Sequence, residues 1–60
     1  MEKIKARDLV RGDKFILAGD TVKVVNMWFY GNRVQIEVEW NDKSTCQISK
    51  RNLQIVEKVV

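Results

Sequence analysis

Arg33-Val34-Gln35-Ile36-Glu37-Val38-Glu39-Trp40 alternates polar and apolar side chains without a break. A period of two puts Val34, Ile36, Val38 and Trp40 on one side of an extended chain and Arg33, Gln35, Glu37 and Glu39 on the other, as in a strand with one face in a core and one in water. Turn-forming residues bound it, Gly31-Asn32 before and Asn41-Asp42-Lys43 after. The flanking segments are therefore its hairpin partners. Their register follows from facing, because a slip of one residue carries every apolar group to the wrong side. A two-residue turn at Gly31-Asn32 sets Tyr30 opposite Arg33, Phe29 opposite Val34, Trp28 opposite Gln35, Met27 opposite Ile36 and Val25 opposite Val38. A three-residue turn at 41–43 sets Val38 opposite Cys46 and Ile36 opposite Ile48, whereas a two-residue turn would bury Gln47.

Upstream, a Gly19-Asp20 turn pairs Leu17 with Val22 and Phe15 with Val24, all apolar. That hairpin wants Val22 and Val24 inward, but the next wants Val25 and Met27 inward. The strand must switch parity, and a β-bulge or sharp coil at 23–25 does so, letting one long strand serve both halves of a small barrel. Five strands are predicted, over 14–18, 21–30, 33–40, 44–48 and 53–57. Ser49 caps a one-turn helix over 49–53 just before the last strand. The all-β order resembles the five-stranded Src-homology-3-like small barrel.

Sixty residues, 45% apolar and 32% charged, hold one hydrophobic core and therefore one domain. The net charge of +3 with a pI near 9.3 favours acidic partners. Its placement matters more than its size. Residues 1–11 carry four bases and two acids, a surplus of +2, while the remaining seven bases and six acids leave +1. These eleven residues read as a basic, flexible N-terminal arm, with a short helical turn within Lys5 to Arg11, at Asp8-Leu9-Val10 before Gly12. Histidine and proline are absent and cysteine occurs once, which excludes disulfide scaffolds, zinc fingers and histidine-based catalysis. No apolar run approaches the roughly 20 residues of a bilayer span and no signal-peptide pattern is present, so the expected setting is the cytoplasm, without a membrane partner.

Ile4-Lys5-Ala6-Arg7-Asp8-Leu9-Val10-Arg11-Gly12-Asp13-Lys14-Phe15, followed by Gly19 and Val24-Val25, resembles the first strands of the KOW-type barrel that opens bacterial elongation factor P. The resemblance spans about the first 25 residues and implies a small barrel. Those factors carry a modified lysine on a glycine-rich tip. Here the corresponding hairpin is Trp28-Phe29-Tyr30-Gly31-Asn32-Arg33, so ribosome binding does not carry over. The second half, from Val38 to Asn41-Asp42-Lys43 and on through Asn52 to Val56, looks like the closing strands of Tudor-like barrels and of small phage-encoded single-domain proteins.

The register turns Trp28 and Tyr30 outward beside Gln35 and Arg33. Outward aromatics next to a cation form a surface on which unpaired bases stack while the guanidinium holds phosphate. Lys3, Lys5 and Arg7 on the arm, and Lys50, which with Arg51 makes a second small basic site by the helical turn, supply further positive field. The same pattern is compatible with Trp28 folding back over an open barrel end, and with solvated lysines. Glu37 and Glu39 project together but face polar neighbours, which does not make an acid–base pair. Cys46, opposite Val38, reads as a small core residue. Trp40 reads as core or rim packing. No catalytic residue, metal ligand or cofactor is expected. The reading is a non-enzymatic binding module for RNA or single-stranded DNA. The alternative is a protein-interaction or accessory module of phage or mobile-element type using the same hairpin, and a homodimer through edge strands is compatible with the pattern.

Overall fold

The computed structural model describes all 60 residues. Six strands, β1 (Glu2–Lys5), β2 (Lys14–Leu17), β3 (Asp20–Tyr30), β4 (Arg33–Glu39), β5 (Thr45–Arg51) and β6 (Ile55–Val59), form one antiparallel sheet in the order β1-β6-β2-β3-β4-β5. The chain is thus all-β, but its sheet has six strands rather than five. No ladder joins β1 to β5, so strand pairing does not close it into a barrel. A 3-10 turn at Ala6–Asp8 lies against β5 instead. Its Ala6 and Arg7 N–H groups donate to the carbonyls of Gln54 and Asn52 at 2.8 and 3.1 Å.

Residues 1–11 are accordingly not a free arm. Ile4 faces Val56 in the β1–β6 ladder, and Ala6 and Leu9 are buried in the core. A single apolar residue between lysines cannot announce a strand, and the pairing partner lies at the far end of the chain. The helical turn expected over 49–53 is absent. β5 continues through Ser49 to Arg51 because each of these residues has a β4 partner, and only a turn at Asn52-Leu53 leads into β6.

Both central hairpin registers are as read from the alternation. Tyr30 pairs with Arg33, Phe29 with Val34 and Met27 with Ile36, while Val38 pairs with Cys46 and Ile36 with Ile48. Gly31 takes a φ of +59° at the first turn position, where a side chain would be strained. The parity switch is also where facing demanded it. The ladder jumps between Val24↔Val38 and Asn26↔Glu37, leaving Val25 as the bulged residue. Val25 therefore does not pair with Val38. Beside the bulge, Val24 donates its N–H to Asp13 O at 2.8 Å and accepts from Gly12 N–H at 2.9 Å, which ties the 10–13 loop to β3.

The first hairpin turns one residue earlier than expected, at Ala18-Gly19, so Phe15 pairs with Val22 and Leu17 with Asp20. The displacement moves the pairing by two and keeps every side chain on its own face. Ala18 and Gly19 have φ of +52° and +82°, as the tight primed hairpin turn requires. Ala18 bears that left-handed conformation at about 1–2 kcal/mol.

The core comprises nine residues: Ala6, Leu9, Phe15, Val22, Val24, Val34, Ile36, Val38 and Val56. Ile4, Leu17, Met27, Trp40 and Ile48 pack around it. Cys46 is not among them. It points to the inner side of β5 but is exposed, because β5 is a sheet edge and nothing covers its turn-proximal end. Its sulfur accepts the Trp40 indole N–H at 3.3 Å.

Candidate nucleic-acid interface

Burial of Val34, Ile36 and Val38 fixes which face of β4 looks outward, and the ladders then place every neighbour. Across β3, β4 and β5 the outer face consists of successive rows. Tyr30, Arg33 and Arg51 form the first, Trp28, Gln35 and Ser49 the second, and Asn26, Glu37 and Gln47 the third. Trp28 and Tyr30 stand on one face two residues apart, about 7 Å along the strand. Tyr30 is 60% exposed and Trp28 37%, so neither ring folds back over the core.

β2 pairs with β3 only as far as Lys23, so the Val25–Tyr30 segment has β4 on one side and no strand on the other. The hairpin tip stands clear of the core, which is why Phe29, although on the inner face, is 58% exposed.

Arg33 is held in place. Its Nε donates to Ser49 Oγ at 3.0 Å, leaving the terminal guanidinium nitrogens free to bind. Gln35 Nε2 donates to Gln47 Oε1 and Asn26 Nδ2 to Glu37 Oε1, the latter at 3.2 Å, so the middle of the face is a knitted polar surface. Arg51 sits directly across from Arg33. Two like charges in register are unfavourable, by about 0.2–1 kcal/mol on the scale of cross-strand pairs. No carboxylate offsets them: the two ion pairs of the molecule are Arg7–Asp8 at 3.9 Å and Lys58–Asp13 at 3.6 Å, both elsewhere. Arg33 and Arg51 line an open hollow with Leu53 and Gln54. An anion bridging the two guanidiniums would turn the repulsion into attraction.

The remaining basic residues are dispersed. Lys3 and Lys5 lie on β1, opposite Glu57 and Ile55, with β6 and β2 between them and β3. Arg7 is carried by the 3-10 turn to Asn52, next to Arg51 in the chain, and its side chain is exposed beside Asp8. Lys50 pairs with Val34 on the inner side and is half-buried, so it does not join the outer cluster. The sequence pairs Arg51 with Lys50 as a separate basic site beside a helical turn, and β5 instead carries Arg51 into the cluster. Continuing the Val38–Cys46 register down the strand would have found it; reading Ser49 as a helix cap ended the strand too soon.

No helix of the chain is long and apolar enough to cross a membrane. Comparison with protein families, with curated proteins and with solved structures finds no match, and the geometry of this face is what speaks to function.

Proposed function

We propose that the protein binds single-stranded nucleic acid, RNA or DNA, across the outer face of the β3–β4–β5 tip, and does so without catalysing a reaction. The observation that carries the reading is the uncompensated Arg33–Arg51 pair in register with exposed Tyr30 and next to Trp28. The arginines bridge a backbone phosphate. The rings stack on the flanking bases, each worth about 1–3 kcal/mol. Double-stranded substrates offer no free base faces to these rings. Arg7 adds positive field beside the tip, while Lys3 and Lys5 act only at longer range. The fold is read in the same terms as an opened Src-homology-3-like, KOW-type barrel, supported by the β2–β5 meander and the bulge that bends β3. A cytoplasmic location belongs to this reading, from the single unpaired cysteine.

Titration of labelled oligouridine between about 50 and 200 mM salt tests it. One phosphate bridged by both arginines and one held by Arg7 would give a slope of log affinity against log salt of about −1.4, and replacing both Arg33 and Arg51 by Ala would bring it toward about −0.7. A slope of zero, or an unchanged slope in the variant, contradicts the proposal.

A protein partner is the second reading, favoured by the exposed Phe29 and the unpaired edge of β3 beyond Val24. Capture that resists both salt and nuclease would mark it.

A further inference from the structure

At the other end of the sheet, Lys14, Thr21, Lys23, Glu39, Asn41 and Lys43 surround a hollow of about 220 Å³, with Trp40 forming part of its wall. That volume lies below the roughly 300–1,000 Å³ of sites for drug-sized ligands and suits a small ion. Three lysines and one glutamate line the hollow, and none of the four is in an ion pair. The Thr21 hydroxyl and the Asn41 amide add neutral donors to the lining.

Two local rules of stability are broken at this place. Lys14 and Lys23 are direct cross-strand partners, a like-charge pair that the ladder disfavours and that only Glu39, across from Lys23 on β4, offsets. Lys43 closes a three-residue hairpin turn at a φ of +72°, the position at which glycine is favoured. The Lys43 N–H to Trp40 O bond of 3.0 Å and the Trp40 N–H to Ser44 O bond of 2.8 Å lock that conformation. A strained residue whose side chain borders a hollow with two other lysines points to a ligand rather than to folding.

We infer that this hollow, set apart from the aromatic tip, is a second site, which binds a phosphate-class anion. The ammonium groups of Lys14, Lys23 and Lys43 bind the anion, and Glu39, across the ladder from Lys23, offsets their mutual repulsion when the site is empty. The phosphate belongs either to a small phosphorylated compound or to the backbone of a strand that also reaches the tip.

The test is titration with inorganic pyrophosphate, followed by the backbone amides of the full chain and by the Trp40 indole N–H. Saturable movement of the Lys23, Asn41 and Lys43 amides is expected. In Lys43→Gly the affinity falls about tenfold, the low end for a lost charged hydrogen bond, while the midpoint of thermal unfolding rises because the strain is relieved. Lys14→Thr, which leaves the turn untouched, weakens binding similarly. Loss of binding in a more stable variant cannot be misfolding. Movement spread over all lysines alike, or unchanged affinity in both variants, overturns the inference. Oligouridine separates the sources: if it moves the same amides and pyrophosphate competes, the phosphate is a strand's, and if pyrophosphate alone moves them, it is a small compound's. Failure here with oligouridine still moving Tyr30 and Arg33 leaves the tip's function standing, and the converse result removes that function alone.

Discussion

The two halves of β3, on either side of the bulged Val25, are built for opposite purposes. Below it, Val22 and Val24 are 1% exposed, between β2 and β4 and against Phe15 and Val38. Above it, Trp28 is about one-third exposed and Phe29 and Tyr30 more than half, with β4 as their sole neighbour strand. The largest side chains of the strand are thus left outside a core made mostly of small β-branched residues. Burying one such ring would contribute about 1.5–3 kcal/mol, a large share of what a domain of this size has. Forgoing it leaves Trp28 and Tyr30 on the outer face beside two arginines without an ion pair, and Phe29 open on the inner face.

The contrast predicts its largest effect between two phenylalanines. Phe15→Ala should cost about 3–5 kcal/mol and unfold most of the chain, whereas Phe29→Ala should cost less than about 1 kcal/mol. Urea denaturation followed by circular dichroism distinguishes them, and equal losses would mean that the upper half is core after all. Tyr30→Ala sharpens the same contrast from the other side: stability within about 0.5 kcal/mol of the parent, with oligouridine affinity reduced by about 1–3 kcal/mol.

A smaller effect lies in the lower half, where the turn carries strain. Ala18→Asn creates an Asn-Gly pair suited to the left-handed conformation and should raise stability by about 1 kcal/mol, measured by thermal unfolding. Binding at the tip should not change. The smallest effect is local. The Ser44 hydroxyl, and then its backbone N–H, donate to Asp42 and hold this exposed carboxylate below its usual 3.8. Because the folded value is lowered, the loop contact is complete above the ordinary aspartate range and is lost as pH falls through the lowered value. The Ser44 amide shift should therefore titrate with a midpoint below 3.8.

What the chain disclosed in advance was whatever rests on alternation between close neighbours. Val34, Ile36 and Val38 determined β4, and two turns of fixed length carried that facing to Tyr30, Phe29 and Cys46. The conflict between Val24 and Met27 locates the bulge from facing alone. What stayed hidden depends on partners distant in sequence or on edges. Glu2–Lys5 becomes a strand only because Val56 and its neighbours lie alongside, and nothing in Lys3-Ile4-Lys5 signals it. The exposure of Cys46 and Phe29 reflects where neighbouring strands end, a property of the whole sheet that no local pattern encodes. The place of Arg51 beside Arg33 was concealed by a competing signal, the capping propensity of Ser49, which pairing with Gln35 overrides.

The central claim is that the upper half of β3, with the arginines beside it, is the surface that meets nucleic acid. The most direct test is an amide and indole N–H titration of the full chain with oligouridine at low salt. The account predicts that the Trp28 indole and the Tyr30, Arg33 and Arg51 amides move together and return as salt is raised, while Val22 and Val24 stay still. If those four signals do not respond, or respond without salt dependence, the claim is wrong.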